Sequence, residues 1–258
     1  KAQARNQKML GPRVVVGVPS GITSVEVRAV RDATKEAGAR EVFIVEEPMA
    51  AAIGIGLPVR EATGSMIIDI GGGTTDIGVV SLGGLVNSKN VRIAGDKFNA
   101  DIVSYVRNEF KILIGERTAE DLKIKAASVA ADNTPLEARV RGRDLITGLP
   151  REIVVTDNDV RNAVGHSVEE LVDAIKGVLE TTPPEVLSDV MQGGIHLAGG
   201  GALIRGIAEL LTEALGIKVK VATDPLTAVV RGTGIILDDI ELYREALLTA
   251  DHELAPTQ

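Results

Sequence analysis

The stretch "MIIDIGGGTTDIGVV", residues 66–80, places an acid near the end of an apolar run. Three glycines, two threonines and a second acid follow that run. Residues 74–82 are rich in β-branched side chains that alternate along the chain, which predicts a strand. The glycines therefore close a hairpin. Three consecutive glycines cost conformational entropy and add nothing to a core, so we expect another group to approach that backbone closely.

Exposed N–H groups in such a turn form an anion-binding concavity suited to phosphate, and Asp69 before it can hold Mg²⁺ through water. A P-loop is excluded because no Lys-Ser/Thr pair follows the glycines, and a dinucleotide fingerprint is excluded because a strand follows instead of a helix. A tight hairpin in a core sheet remains an alternative. A second triple glycine, residues 199–201, follows a short strand and is predicted to open a helix that includes Leu203.

The chain before this hairpin alternates strands and helices. Residues 13–18 predict a buried strand, and Thr23 with Glu26 predicts a capping box ahead of a helix whose apolar positions are Val25, Ala29 and Ala33. A second strand at 41–45 precedes a helix that starts at Pro48. The pattern predicts an α/β fold with helices covering a mainly parallel sheet.

The chain after the hairpin contains longer helices and one polar insert. The predicted elements are a strand near 91–93, helices at 99–114, from 118 and from 167, and an antiparallel meander over 135–155 that we interpret as a separate lobe. "GVPSG", residues 17–21, places Ser20 one position late for a nucleophile elbow, so no acyl-transfer triad is predicted.

Composition excludes several classes of protein. The chain has 258 residues, a net charge of −8, no cysteine and only five aromatic residues. Disulfide frameworks, cysteine-ligated metals and thiol nucleophiles are excluded, and nucleic-acid binding lacks both its basic surface and its stacking platforms. The apolar stretch 49–59 is too short and too often broken by Gly and Pro to span a bilayer.

Six segments together resemble the MreB family of bacterial actin homologues, within the superfamily of actin, heat-shock-chaperone ATPases and sugar kinases. They are "IVEEPMAAAIGIGLP", "DIGGGTTDIGVVSLGG", "RIAGDKFNADIVSYVR", "IGERTAEDLK", "LAGGGALIRG" and "PLTAVVRGTG". The resemblance implies an actin-like α/β fold in which two ribonuclease-H-like lobes, with a small inserted subdomain, enclose ATP and Mg²⁺. The expected division is 1–62 for the first lobe, 63–117 and 191–236 for the second, 118–190 for the inserted subdomain, and 237–258 for a C-terminal helix and tail.

The resemblance also implies roles for individual residues. Asp69 would hold the magnesium water shell, Thr74 and Asp76 would face the attacking water, and Glu47 would orient it. Glu47 can also be read as an acid favoured at a helix N-terminus. The nucleotide contacts it implies are Gly71, Gly72, Gly73, Thr74 and Thr75 at the phosphates, Gly199, Gly200 and Gly201 at the adenosine, and Glu120 and Lys123 at the ribose and adenine. An ordinary surface salt bridge remains the alternative for Glu120 and Lys123.

The function implied is that of a cytoplasmic ATPase that forms filaments at the inner face of the cell membrane and directs cell shape with cell-wall synthesis and membrane morphogenesis proteins. Met9 and Leu10 are candidates for peripheral membrane contact. The family's first phosphate loop is not recognisable in the sequence, so we expect an incomplete first lobe and little activity from this chain by itself. A small-molecule kinase of the same fold is the alternative function.

Overall fold

The computed structural model describes residues 11–130 and 135–248; Met9 and Leu10 lie outside the described residues. The strands are β1 (Arg13–Val18), β2 (Glu41–Glu46), β3 (Ser65–Ile70), β4 (Thr75–Ser81), β5 (Gly84–Val91), β6 (Ile112–Leu113), β7 (Glu137–Asp144), β8 (Pro150–Thr156), β9 (Ile195–Ala198) and β10 (Val219–Val221). The helices are α1 (Ser24–Glu36), α2 (Glu47–Gly54), α3 (Gly95–Phe110), α4 (Glu116–Ala126), α5 (Asp157–Thr181), α6 (Pro184–Gly193), α7 (Ile207–Leu215) and α8 (Ala228–Asp238).

The first sheet pairs β1 with β2 in parallel, with α1 as the crossover. The predicted capping box is present, because Thr23 accepts a hydrogen bond from the Glu26 backbone and Glu26 accepts one from the Thr23 backbone. The predicted apolar face of α1 is wrong. Val25 is 75% exposed, whereas Val27 is buried. The face of α1 that contains Val27 packs against Val18 and Ile44 of the first sheet.

The second sheet has the strand order β10-β9-β3-β4-β5. The hairpin predicted at the triple glycine is present, since β3 and β4 pair antiparallel around residues 71–74. The prediction of a mainly parallel sheet is wrong here: β9 pairs in parallel with β3 and with β10, but β4 pairs antiparallel with β3 and with β5. The strand expected near 91–93 is β5, which ends at Val91 instead of beginning there.

The third sheet, β6-β7-β8, contains the predicted antiparallel meander. Its buried residues Val140 and Ile153 belong to the same hydrophobic cluster as Ile68 of the second sheet. Three helix starts differ from the predictions: α3 begins at Gly95 rather than 99, α4 at Glu116 rather than 118, and α5 at Asp157 rather than 167. A capping box of Thr156 and Asp159 begins α5, with Asp in place of the usual Glu or Gln.

Glycines allow α2 to pack closely against α8 and against β4 of the second sheet. A Cβ at Gly54 would lie 1.9 Å from the Ala228 carbonyl oxygen, and one at Gly232 would lie 1.8 Å from the Ala50 carbonyl oxygen, so α2 and α8 touch along their backbones. At Gly78 in β4, a Cβ would lie 2.6 Å from Pro48. These glycines let α2 approach β4 closely and carry its first residue, Glu47, to the end of the hairpin.

None of the helices in the two described ranges is long and apolar enough to cross a membrane.

Candidate functional site

Three acidic side chains, one each from β3, β4 and α2, meet at the end of the β3–β4 hairpin. Asp69 and Asp76 are direct register partners across the two strands and are 9% and 1% exposed. Glu47 approaches from the start of α2. Burial, then the charges of Glu47 and Asp76, raises the pKa of Asp69 to about 7. Like charges placed opposite one another in a buried ladder destabilise the fold, which is typical of a functional site.

Glu47 has a raised pKa as well, first because of burial and then because of Asp76. An acid favoured only by a helix dipole would show the opposite direction, since the positive end of the dipole stabilises the carboxylate. Glu47 is the first residue of α2, but burial and a neighbouring acid dominate its environment. The helix-terminus alternative therefore does not account for the raised pKa of Glu47.

The three acids differ in how they are held. Asp76 accepts hydrogen bonds from the Ser20 backbone N–H at 2.8 Å, the Ser20 hydroxyl at 2.9 Å and the Asn90 amide at 2.8 Å. Thr74 adds a longer contact, 3.5 Å from its hydroxyl to the same carboxylate. Within the described ranges, no donor reaches Asp69 or Glu47, so these two carboxylates remain available to a ligand.

The first glycine turn has open space beside Gly72 and Gly73, where phosphate is predicted to bind. A Cβ at Gly72 or Gly73 would meet only Asp96 carboxylate oxygens, at 3.9 Å, and neither residue has a positive φ. Their N–H groups have no acceptor in the described part of the chain. Gly71 differs, because its N–H donates to the Thr74 carbonyl oxygen and closes the turn. Neither backbone conformation nor packing explains glycine at 72 and 73.

Helix α3 begins directly against this turn. The Gly95 N–H donates to the Gly71 carbonyl oxygen at 3.1 Å, and the Asp96 N–H donates to the Gly72 carbonyl oxygen at 2.8 Å. The positive end of a 16-residue helix therefore points at the turn.

The second glycine turn is mostly filled by the protein itself. A Cβ at Gly199 would lie 2.3 Å from the Ile70 carbonyl oxygen, and one at Gly201 would lie 2.2 Å from Ile70 Cγ2. Gly199 also has φ 80°. These two glycines are thus required by packing against the end of β3. Gly200 is the outward-facing member, with Leu226 3.5 Å from a Cβ there. The α-helix predicted to open at this turn begins only at Ile207, after a 3₁₀ turn.

A cleft of about 620 Å³ lies between the two glycine turns. Clefts that bind small ligands typically measure about 300–1,000 Å³. Glu120 and Lys123 of α4 line it and form an ion pair of 2.7 Å. Lys123 also donates to the Gly95 carbonyl oxygen, and hydrogen bonds from Lys123 and Asn99 lower the pKa of Glu120. The Glu120–Lys123 salt bridge is therefore present, as the alternative interpretation expected. It lies on the wall of the cleft and not on an open surface. The other lining residues of this cleft include Ile124, Leu203 and Leu226.

The side chain of Thr75 is fully buried, and its hydroxyl donates to the Ile93 carbonyl oxygen at 2.6 Å. This side chain does not line the cleft. A contact of the Thr75 backbone with phosphate stays a prediction.

The residues present fit magnesium and a polyphosphate. Asp69 and Glu47 are partly or fully buried acids with raised pKa values, which a cation would compensate. In residues 11–130 and 135–248, no three His, Asp or Glu side chains are arranged to ligate one metal ion directly. A magnesium ion here would thus keep most of its water shell.

Sequence reasoning missed three residues of this site: Ser20, Asn90 and Asp96. Asn90 is the register partner of Asp76 on β5, and placing that strand at 91–93 hid this pairing. Asp96 lies in the first turn of α3, which was predicted to begin later. The position of Ser20 could not be read from the sequence, because it depends on how two separate sheets meet.

Comparisons with known proteins place nearly the whole chain beside one family. The family model described as "MreB/Mbl protein" matches residues 1–245. The cell shape-determining protein Mbl of Bacillus subtilis (strain 168) is 46% identical over 230 residues, which cover 89% of this chain and 69% of that protein. The cell shape-determining protein MreB of Escherichia coli (strain K12) is 50% identical over 232 residues, covering 90% and 67%.

Among solved structures, MreB5 of Spiroplasma citri bound to ADP matches with a TM-score of 0.87 and 36% identity, covering 94% of this chain and 74% of that one. The same protein bound to AMPPNP gives a TM-score of 0.86 at 38% identity, covering 90% and 69%. The actin-like α/β fold expected from the sequence is confirmed by these likenesses.

Proposed function

The chain belongs to the MreB/Mbl protein family, and we propose that it binds ATP with magnesium between the two glycine turns and hydrolyses it. The observation that carries this proposal is the turn at Gly72 and Gly73. Its glycines are required neither by backbone conformation nor by packing, its N–H groups are free within the described residues, and it adjoins two acids without hydrogen-bond donors. The nucleotides named for the Spiroplasma relative support the same assignment.

Each residue of the proposed site has a chemical task. The N–H groups of Gly72 and Gly73 bind phosphate oxygens, and Asp69 holds the water shell of the cation. When bound, magnesium supplies compensation for the phosphate charge. Gly200, Glu120 and Lys123 contact the nucleoside on the cleft side.

Glu47 and Asp76 act on the attacking water. Glu47 has no competing donor within the described residues, and its raised pKa moves it toward the pH at which a general base works well. Asp76 and Thr74 orient the same water from the opposite strand. Hydrolysis then transfers the phosphoryl group to water and leaves ADP and phosphate.

We further propose that the protein assembles into membrane-associated filaments that direct cell shape together with cell-wall synthesis and membrane morphogenesis proteins. The names of the curated relatives support the role in cell shape, and no comparison supports the small-molecule kinase. Membrane contact through Met9 and Leu10 stays a prediction. Electron microscopy of the full-length protein with Mg–ATP on an anionic lipid monolayer tests assembly, and unassembled protein under those conditions would contradict it.

Phosphate release from Mg–ATP by the full-length protein tests the ATPase proposal, and its absence would contradict it. The role of Glu47 is tested by Glu47→Gln in the same protein. We expect single-turnover hydrolysis to fall by about 100-fold, because a general base acts mainly on the transition state. Affinity for Mg–ATP should change less than about threefold. The control is Glu41→Gln, which alters an exposed acid at the other end of β2. Hydrolysis at the wild-type rate in Glu47→Gln would remove Glu47 from the mechanism.

A further inference from the structure

Two hydrogen bonds from Ser20 to Asp76 connect the first sheet directly to the second. Asp76 is one of the acids proposed to act on the attacking water. Ser20 follows β1 of the first sheet, and Asp76 lies in β4 of the second, 56 positions further along the chain. Both the backbone N–H and the hydroxyl of Ser20 donate to Asp76 Oδ1, at 2.8 and 2.9 Å. Ser20 is 6% exposed and Asp76 1%, so both bonds are shielded from water.

The other oxygen of Asp76 is held from the opposite side. The Asn90 amide, on the edge strand β5, donates to Asp76 Oδ2 at 2.8 Å. The carboxylate is thus fixed by donors on both oxygens, and it cannot rotate without breaking bonds to a charged group, which are among the stronger hydrogen bonds in proteins. Asp69 and Glu47 have no such restraint within the described ranges.

We propose that Ser20 is a positioning residue for ATP hydrolysis: it holds Asp76 in the orientation needed at the attacking water and makes that orientation depend on the contact between the two sheets. Separation of the sheets at this point requires both Ser20 bonds to break, and Asp76 then loses its fixed orientation. This inference rests on the proposed function, and it assigns Ser20 no contact with nucleotide or water.

The alternative is that Ser20 only ties the sheets together. A purely structural residue would lower stability when changed and leave the chemical step intact. Positioning predicts instead a loss in kcat, with little change in KM, because ground-state binding does not need the Asp76 orientation.

The test is Ser20→Ala in the full-length protein, which removes the hydroxyl and keeps the backbone bond. We expect kcat for ATP hydrolysis to fall by about 10-fold and KM to stay within about threefold. Ser20→Thr, which keeps a hydroxyl, should restore most of the rate. Ser167→Ala is the matched control, because Ser167 is also buried and donates to a carboxylate, that of Asp101, away from the acids.

Wild-type kcat in folded Ser20→Ala would overturn the inference and leave the ATPase proposal standing. Absence of ATP turnover in the wild-type protein would overturn the ATPase proposal, and this inference with it. If Ser20→Ala does not fold, Ser20→Cys carries the test, since a thiol fills the place of the hydroxyl but is a much weaker donor to Asp76. Wild-type kcat in that variant would equally overturn the positioning role.

Discussion

The two triple-glycine turns have the same sequence and lie at neighbouring strand ends, yet the structure gives them different reasons for glycine. At residues 199–201, two of the three positions have no room for a Cβ because Ile70 fills the space. At residues 71–73, two of the three positions are open, and their backbone conformation does not require glycine. The first case is explained by packing. In the second case packing and φ do not account for the glycines, and the proposed phosphate contact would account for them.

This contrast shows that a glycine motif alone does not identify a ligand site. The informative quantity is what a Cβ would meet at each position. The proposed phosphate contact therefore rests on Gly72 and Gly73, whereas Gly199 and Gly201 are explained by packing. Gly200 and Gly201 both line the cleft, and of these two only Gly200 leaves room for a side chain.

The largest expected effect on stability is at the filled turn. Gly201→Ala places a methyl group against Ile70, which is fully buried and cannot move away. We expect the free energy of unfolding to fall by about 3 kcal/mol, as for a strongly overpacked core. Urea denaturation measures this loss, with Gly200→Ala as the control at less than about 0.5 kcal/mol. Equal stability of the two variants would remove the distinction between packed and open positions.

A smaller effect is expected from pH at the acids beside the open turn. Folded Asp69 has a pKa of about 7, well above its unfolded value, so the folded state keeps a proton that the unfolded state has released. The contribution of Asp69 to the free energy of unfolding should therefore be greatest below about pH 4. It should fall as the pH rises from about 4 to 7, by up to about 1.4 kcal/mol per pH unit. The raised pKa of Glu47 acts in the same direction.

Asp69→Asn should reduce the change of unfolding free energy with pH, because an amide does not titrate. The variant also removes the repulsion of the Asp69 carboxylate by Glu47 and Asp76. Urea denaturation at pH 5.5 and 7.5, without nucleotide or magnesium, compares the two proteins. The same slope in Asp69→Asn as in the wild type would show that Asp69 is not the group responsible.

The sequence was sufficient for those features whose signals are local. The β3–β4 hairpin follows from alternation on both sides of the glycines, and the α1 capping box follows from Thr23 and Glu26, three residues apart. These patterns depend on neighbours in the chain, and the structure confirms them.

Features that depend on distant partners were not predictable in the same way. Val25 and Val27 are both apolar, and only the position of the first sheet decides which one is buried. Thr75 follows Thr74 directly, but strand alternation sends its hydroxyl to Ile93 instead of the cleft. Ser20 reaches Asp76 only because two sheets meet. The candidate site was therefore predicted at the level of the motif and only partly at the level of the side chain.

The most direct test of the account is Mg–ATP binding by Gly72→Val, measured by titration calorimetry in the full-length protein. The added side chain enters open space, so the free energy of unfolding should change by less than about 0.5 kcal/mol, while ATP affinity should fall by about 100-fold. Gly115→Val is the matched control, since it adds the same side chain at another open, exposed glycine outside the cleft. Wild-type affinity in a folded Gly72→Val protein would contradict the claim that phosphate lies on this turn.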